Sequence, residues 1–443
     1  MGTVEVPKDA YYGSFTKRAL DTFKPGRMPV PIALIHCFGE VKLAAARANK
    51  RLLLLPPKLA DAIIDASSEV LKGKFDSEFL LGAFQAGAGT PWNMNVNEVI
   101  ANRANEALGA QKGSYKYVNA NDHVNRCQSS NDATPTAIRV AALYGKTLLE
   151  EKLKTLGSSL YRKSREFAKI RKVGRTHLQD AVPITLGQEF KAYSDSISKD
   201  LKRMDSAFSE FHEIPLGGTA LGTGANAHPK FAKLAAANLS KITRLKLWAS
   251  QNPIELTQNL NAFVSAANSL DVIATDLVRI SKDLQLLSSG PVGGLAELIL
   301  PEVEPGSSIM PGKVNPSVPE AVEMACYSVM GKVHAIRLAA KAGNLEINVM
   351  TPLVAHELLG ALELLGNAAS LLDSKCIRGV EPNHSRIKWF LENSTVDAAA
   401  LTPKLGYHKV SQLVREALSR KKTIRGLVLE KKLMAEKELD SLQ

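Results

Sequence analysis

The sequence has 443 residues, of which 45% are apolar and 23% are charged, and these fractions are close to the averages of folded globular chains. They exclude a disordered or fibrous protein, and the longest purely aliphatic run, residues 52–55, is far shorter than the roughly 20 residues that a membrane helix needs. The net charge of +12 comes from dispersed basic residues without a nucleic-acid-binding motif, so we expect no nucleic-acid partner and interpret the charge as an attraction for a small anion.

The cysteines and the N-terminus indicate the compartment. Cys37, Cys127, Cys326 and Cys376 are widely spaced and form no CxxC pair. This spacing predicts buried, reduced thiols rather than a disulfide framework or a zinc site, and we expect neither a metal nor a cofactor. The first residues contain no basic stretch that leads into an apolar segment, so no secretory signal is expected and a cytoplasmic location is predicted.

Taken in order, the chain divides into three predicted segments. Residues 1–128 mix helical patterns with loops rich in glycine and asparagine, residues 129–384 form a long helical centre, and residues 385–443 form a small helical tail domain. Strand patterns are few and short. The protein is therefore predicted to be mainly α.

Three helical patterns support this fold class. Apolar residues recur at steps of three or four through residues 149–167 and through residues 322–336. The longest pattern, residues 256–287, predicts one continuous helix that ends before Gly290-Pro291. Its spacing is close to a heptad repeat, which predicts lengthwise packing inside a helical bundle.

A capping box is predicted at the start of the third helix. Ser317 is the predicted N-cap, Pro319 lies in the first turn, and Glu320 closes the box. A helix N-terminus carries a partial positive charge and free N–H groups, which suit a substrate carboxylate.

Two polar clusters precede predicted helices. Residues 87–98 carry Thr90 beside two glycines, and a plain turn followed by a helix cap explains this cluster as well as a ligand site does. Residues 121–132 hold more hydrogen-bonding groups than one N-cap uses, which favours a binding function over capping alone. The residues concerned are Ser129, Ser130, Asn131 and Asp132.

Two further clusters are open to a structural or a functional interpretation. In residues 174–183, Thr176 and His177 lie in a polar run where the imidazole can orient a substrate or transfer a proton, although a lone histidine is commonly structural. Asn226 ends a stretch rich in glycine and threonine that also fits a tight connection between helices.

Residues 306–316 form the most distinctive segment. Two glycines and two prolines in eleven residues exclude regular structure, so a mobile catalytic loop or a solvated connection is predicted. Hydroxyl, ammonium and carboxamide groups in the loop are donors that suit an anionic substrate. They belong to Ser307, Ser308, Lys313 and Asn315.

The loop sequence GSSIMPGKVNP and the polar clusters, in this order, resemble the signature segments of the fumarase/aspartase superfamily, whose members eliminate ammonia, water or other groups to release fumarate. The resemblance covers nearly the whole chain. It implies a three-part architecture and a homotetramer whose long central helices form one shared bundle. It also implies active sites built from segments of several subunits.

The resemblance further implies a role for each site residue. Ser307 would be the general base, and His177 would act in catalysis with Glu320 as the acid that pairs with it, a role that competes with the capping box. The substrate would be bound by Thr90, Ser129, Ser130, Asn131, Thr176, Ser308, Lys313 and Asn315.

The prediction of the leaving group rests on resemblances of shorter segments to one branch of the superfamily or the other. Residues 6–13, residues 112–128 and Ala88 resemble aspartases, whereas Ser130 resembles fumarases and Trp92, which follows neither pattern, is expected to narrow or reshape the pocket. We predict conversion of L-aspartate to fumarate and ammonia, with a class II fumarate hydratase as the alternative. A catalytically silent relative that binds nucleic acid is disfavoured because every expected catalytic position holds a competent residue.

Overall fold

The structure is a computed structural model that describes residues 2–26 and 28–440. Residues 1 and 441–443, at the ends of the first and last predicted segments, lie outside this part. The described chain is 64% helical with 16 α-helices, which confirms the mainly α class. The helices are α1 (Ser14–Thr22), α2 (Ile32–Arg51), α3 (Pro57–Leu71), α4 (Thr90–Ala107), α5 (Ser130–Glu166), α6 (Leu186–Phe208), α7 (Phe231–Thr243), α8 (Pro253–Gln258), α9 (Asn261–Leu287), α10 (Ser317–Lys341), α11 (Thr351–Lys375), α12 (His384–Asn393), α13 (Ala398–Leu405), α14 (Tyr407–Ser419), α15 (Ile424–Glu430) and α16 (Glu436–Asp440).

Short strands form three two-stranded sheets in the described chain. Strands β1 (Arg171–Thr176) and β2 (Gln179–Thr185) form an antiparallel hairpin, which the sequence patterns did not predict. The other pairs have two residues in each strand: β3 (Glu213–Ile214) is parallel to β4 (Trp248–Ala249), and β5 (Leu298–Ile299) is antiparallel to β6 (Glu381–Pro382).

The prediction of one continuous helix over residues 256–287 is wrong, because the chain forms α8 and α9 with a break between them. Asn259 is extended, with φ −112° and ψ 127°, and its side-chain oxygen accepts the N–H of Asn261 at 2.8 Å. This hydrogen bond satisfies a backbone donor at the start of α9, as an N-terminal cap does. The predicted end is confirmed, since α9 finishes at Leu287.

The other two predicted helices are present with different boundaries. The pattern of residues 149–167 belongs to α5, which starts earlier, at Ser130, and ends at Glu166. The pattern of residues 322–336 lies inside α10. Ser317 is the first residue of α10 and not its N-cap, because the N–H of Glu320 already donates to the carbonyl of Pro316 at 3.1 Å.

The chain divides into two compact units, each made from three separate stretches. The first unit comprises Met1–Glu150, Lys202–Ala274 and Tyr327–Gly366, and the second comprises Glu151–Leu201, Thr275–Cys326 and Asn367–Gln443. Each unit has its own buried aromatic side chains, such as Phe38 and Trp92 in the first and Phe167 and Phe190 in the second. The division of the chain at residues 128 and 384 stays a prediction.

The cysteines and the helices also bear on the composition-based expectations. All four cysteines are buried free thiols, which confirms that prediction. Among the described helices, none combines the length and the apolar character that crossing a membrane requires.

Candidate active site

A cavity of about 390 Å³ in the first unit is lined by several polar residues of the first two clusters. Thr90, Ser129 and Ser130 line it, as predicted substrate-binding residues would. Asn131 lies beside it, and its side-chain amide donates to the carbonyl of Ala220 at 2.8 Å. The remaining lining residues are Asn93, Met94, Asn125, Cys127, Gln128, Thr219, Ala220, Ala225 and Asn226.

Two helix N-termini meet at this cavity. Thr90 is the first residue of α4 and Ser130 is the first residue of α5, and their hydroxyl oxygens are 2.9 Å apart. The N-terminus of a helix presents free N–H groups and a partial positive charge, which favour a bound carboxylate. The two N-termini therefore make this end of the first unit suited to an anion.

A buried carboxylate holds two edges of the cavity together. Asp132 is fully buried, and it accepts hydrogen bonds of 2.9 Å from the backbone N–H groups of Ser129, Gly217 and Thr219. Burial raises the pKa of Asp132 to about 6, although the three N–H donors oppose this shift. The carboxylate thus fixes the start of α5 against the loop that carries Thr219.

A buried cation below the cavity was missed by the sequence analysis. The ammonium of Lys42 is fully buried in α2, and it donates to the side-chain oxygens of Asn93, Asn125 and Gln128 at 2.6, 3.1 and 3.0 Å. Burial lowers the pKa of Lys42 to about 7. A lysine between Val41 and a run of leucine and alanine is the signal that could have revealed it.

Backbone strain concentrates around the same cavity. Cys127, Thr219 and Asn226 line it with φ values of +63°, +59° and +63°, and nearby Ala88 has φ +59°. Residues with a Cβ atom adopt this left-handed region at a cost of roughly 1 kcal/mol or more, and such strain clusters at functional sites.

Trp92, which was expected to narrow or reshape the pocket, and Ala88, which resembles aspartases, both lie outside the lining. Trp92 is fully buried, and its indole N–H donates to the carbonyl of Leu81 at 3.3 Å. Trp92 therefore does not line this cavity, and its effect on the shape of the pocket stays a prediction. Ala88 donates its backbone N–H to Val349 at 2.8 Å, which fixes the glycine-rich turn before α4.

The second unit carries the other predicted site residues in exposed segments. Thr176 ends β1, and His177 with Leu178 forms the two-residue turn of the hairpin. These two residues have φ +55° and +59°, as a type I′ turn requires, although neither is the glycine or asparagine that favours this turn. The strained turn presents the imidazole of His177 to solvent.

The loop of residues 306–316 is irregular, as predicted, and its two ends meet. The side-chain amide of Asn315 donates to the carbonyl of Gly306 at 2.6 Å, and a Cβ on Gly306 would lie 1.7 Å from the carbonyl oxygen of Lys313. Between these ends, the hydroxyl of Ser307 accepts the backbone N–H groups of Ile309 at 3.3 Å and Met310 at 3.1 Å.

The charged residues of this region are exposed and unpaired within the described chain. Neither Lys313 nor Glu320 forms an ion pair or a side-chain hydrogen bond with another residue of 2–26 or 28–440, and no such contact joins Glu320 to His177. In the same residues, no group of three or more His, Cys, Asp or Glu side chains is arranged to hold a metal ion.

Comparison with known proteins identifies the class. Residues 2–331 match the sequence family described as lyase, and residues 398–443 match the family described as fumarase C C-terminus. The chain is 44% identical to a fumarate hydratase class II from Bradyrhizobium diazoefficiens, over 100% of this chain and 93% of that protein. It is 41% identical to the aspartate ammonia-lyase of Helicobacter pylori, over 100% of this chain and 95% of that protein.

A solved structure gives the same assignment. The crystal structure of a fumarate lyase:delta crystallin from Brucella melitensis bound to cobalt superimposes with a TM-score of 0.97 at 41% identity, covering 100% of this chain and 96% of that one. Together, these matches define a lyase with the mainly α fold of fumarate-forming enzymes. The chain belongs to the fumarase/aspartase superfamily.

Proposed function

We propose that this enzyme eliminates ammonia from L-aspartate to give fumarate, with Ser307 as the general base. The observation that carries the proposal is the geometry of Ser307, whose oxygen receives two backbone N–H groups in an irregular loop. A free serine hydroxyl is a poor base. Two N–H donors stabilise its alkoxide form, and loop closure that excludes water strengthens them further.

The proposed reaction has two steps. Ser307 takes a proton from C3 of the substrate, and the electron pair of the C–H bond moves into the neighbouring carboxylate to form an aci-carboxylate. The C2–N bond then breaks, the C2=C3 double bond forms and ammonia leaves. Such an intermediate forms only where preorganised donors hold its charge, and we assign this role to Lys313, Asn315 and the N-terminus of α10.

The residues of the first unit are proposed to bind the substrate. Thr90, Ser129, Ser130 and Asn131 offer hydroxyl and amide groups at or beside one cavity, which supports this role. Thr176 and Ser308 are proposed to add hydroxyls from the hairpin and the loop. His177 is proposed to act in proton transfer, with Glu320 as its partner in the assembled enzyme.

The choice of ammonia as the leaving group rests on the likenesses of residues 6–13 and 112–128 to aspartases. Three residues of the second segment, Asn125, Cys127 and Gln128, line the cavity. Ser130 favours the second candidate, a class II fumarate hydratase acting on L-malate, because its fumarase-like side chain also lines the cavity. Ala88 carries less weight than either, since it lies outside the lining.

One assay distinguishes the two candidates. The purified protein is incubated separately with L-aspartate and L-malate, and fumarate is followed by its ultraviolet absorbance. We expect fumarate from L-aspartate. Turnover of L-malate alone would replace the ammonia-lyase by the hydratase, and turnover of neither would contradict the proposed function.

We also propose that the enzyme is a homotetramer held together by its long helices. On α10, Met324 and Leu338 are 67% and 54% exposed, and they lie on one face with Gly331, where an added Cβ would meet no atom within 4 Å. An exposed apolar stripe on a long helix is a typical subunit contact. A second copy of the chain would cover it.

The assembly is tested by the mass of the protein in solution. Met324→Glu and Leu338→Glu are expected to lower the light-scattering mass and to remove activity. Leu418→Glu is the control, because Leu418 is 65% exposed and belongs to α14, a different helix. An unchanged mass in both α10 variants would contradict this interface.

The densest basic cluster gives no support to a nucleic-acid-binding function. Arg420 pairs with Glu416 at 2.9 Å and with Glu430 at 2.8 Å. Lys422 pairs with Glu430 and Lys431 pairs with Glu416. Two carboxylates thus pair with three of the five cations of this cluster and offset part of the charge that would attract phosphate groups.

A further inference from the structure

A buried cluster of four charges lies at the root of the hairpin that carries His177. The carboxylate of Glu297 is fully buried, the ammonium-bearing side chain of Lys172 is 1% exposed, and Arg175 is 12% exposed. The guanidinium of Arg175 donates to Oε1 of Glu297 at 2.8 Å. Lys172 lies 3.0 Å from Oε2 of Glu297, at ion-pair distance without hydrogen-bond geometry, and it donates to Glu189 at 2.8 Å.

The hairpin is irregular between the two cations, because its register shifts by one residue and two residues of β2, Ala181 and Val182, lie opposite Gly174 of β1. Successive side chains of a strand point to opposite faces, so residues 172 and 175 of a regular strand would face opposite ways. Both cations nevertheless contact Glu297 in the folded hairpin, Lys172 from before Gly174 and Arg175 from after it.

The bulge requires the glycine that the sequence has there. A Cβ on Gly174 would lie 2.3 Å from the carbonyl oxygen of Val182 on the opposite strand, closer than any real contact. Glycine therefore permits the close approach of the two strands at the bulge. The local backbone serves the placement of Arg175, which immediately precedes Thr176 and His177.

Backbone hydrogen bonds hold Glu297 in place, and an aromatic ring packs against its partner Arg175. Its backbone N–H donates to the carbonyl of Leu287 at 2.7 Å, and its carbonyl accepts the N–H of Asn383 at 2.9 Å. Strand β5 follows directly and pairs with β6. On the other side, the guanidinium of Arg175 stacks 5.1 Å from the ring centre of Phe390 on α12.

We propose that Glu297 is a positioning residue for the reaction: acting through Arg175 and Lys172, it holds strand β1 so that the turn at Thr176 and His177 keeps one orientation. The proposal rests on the proposed function of that turn. An ion pair needed for stability alone would be complete with Lys172, which is the more deeply buried cation. Arg175 adds a second contact next to the turn, where it restrains the imidazole.

The proposal is tested with Arg175→Met. The variant keeps the Lys172 to Glu297 pair and loses the contact beside the turn, so we expect kcat to fall by about 100-fold, as for a misplaced catalytic group, with KM changed less than about threefold. Arg175→Lys, which retains the charge, should recover part of this loss. If Arg175→Met does not fold, Glu297→Gln, which keeps volume and an acceptor, should show the same selective fall in kcat.

Arg103→Met is the matched control, because Arg103 also pairs with a carboxylate, Glu69, and has no proposed role in the site. An equal kcat in Arg175→Met and wild type overturns the proposal. Equal falls in Arg175→Met and Arg103→Met also overturn it, since they indicate a general loss of structure. Amide hydrogen exchange over residues 171–185 is measured in parallel.

Hydrogen exchange tests the positioning role of Glu297 independently of the proposed function. If the wild type converts neither L-aspartate nor L-malate, the proposed function fails, and exchange still tests the anchoring. Exchange at the turn that is about tenfold faster in Arg175→Met than in wild type, and unchanged in Arg103→Met, supports it. Unchanged exchange in both variants overturns it.

Discussion

Ser307 is the residue on which the proposed chemistry depends most directly. Its oxygen is the acceptor of two N–H groups in the loop, and removing that oxygen removes the base while leaving the binding groups in place. We expect Ser307→Ala to lower kcat by about 1,000-fold, because general base catalysis contributes on that order. Initial rates and calorimetric titration with substrate measure turnover and binding separately.

The matched control for this variant is Ser419→Ala on α14, which also removes one surface hydroxyl. Substrate affinity should remain within about threefold of the wild type in Ser307→Ala, as expected for a group that acts in the transition state. Near-normal turnover would exclude Ser307 as the base.

Asp132 is the residue that ties the cavity together, since it accepts three backbone hydrogen bonds while fully buried. Asp132→Ala leaves these three N–H groups without an acceptor. Hydrogen bonds to a charged group contribute about 1.5–3 kcal/mol each, so we expect the free energy of unfolding to fall by roughly 3 kcal/mol or more. Urea denaturation measures the change.

Asp122→Ala, which removes an exposed carboxylate, provides the comparison. We expect it to stay within about 0.5 kcal/mol of the wild type, as surface substitutions usually do. Equal stability of Asp132→Ala and Asp122→Ala would show that the three hydrogen bonds do not hold the cavity.

At the level of the elements, the two ends of the loop of residues 306–316 meet at a narrow neck, where Gly306 lies against Lys313. We expect the position of Ser307 to depend on the shape of this neck. A Cβ on Gly306 would overlap the carbonyl of Lys313, so Gly306→Ala must open the neck and displace Ser307. Because the loop is largely exposed, few core contacts are lost. We expect a fall in kcat of about 100-fold with a small change in melting temperature.

The appropriate comparison is Gly293→Ala, since an added Cβ there would meet no atom within 4 Å. Melting curves and initial rates of both variants give the result. Gly306→Ala with wild-type kcat would mean that the shape of the neck does not position the base.

The elements also show what the sequence patterns reveal about the fold. The helices α9 and α10 were predictable because their apolar residues recur at the helical period. The break at Asn259 was not, because a side chain that replaces one backbone hydrogen bond leaves the apolar period intact. The hairpin β1–β2 was not predicted because β2 bulges opposite Gly174 and because the turn contains neither glycine nor asparagine.

Some residues of the candidate site were likewise predictable from the sequence, and others were not. Thr90, Ser129 and Ser130 were found because they crowd into short polar segments, and the structure places all three at one cavity. Lys42 was not found because a single lysine in a helical pattern is usually solvated. Its burial depends on Asn93, Asn125 and Gln128, which are distant in sequence and meet it only in the folded chain.

For the whole molecule, acid stability provides a test of the buried and half-buried ion pairs. Hydrogen bonds from Arg103 lower the pKa of Glu69 to about 2, against 4.5 in the unfolded chain. A lowered folded-state pKa means that the unfolded chain binds more protons in this window. The pair therefore stabilises the fold fully above about pH 4.5, and this contribution is lost as the pH falls towards about 2.

Arg103→Met should therefore differ from the wild type by a constant unfolding free energy above about pH 4.5, and the difference should shrink towards pH 2. Urea denaturation between these limits measures it. Lys17→Met, which breaks the exposed pair of Lys17 with Asp21, should show a much smaller effect at every pH. A difference that grew on acidification would contradict the assignment to Glu69.

The two compact units have a consequence for how the chain is made in the cell. The first unit needs residues up to Gly366 and the second needs residues that begin at Glu151, so neither is a continuous stretch of chain. During synthesis, most of the polypeptide must leave the ribosome before the first unit can close. Nascent chains that stall before Gly366 should be the ones that chaperones and proteases capture.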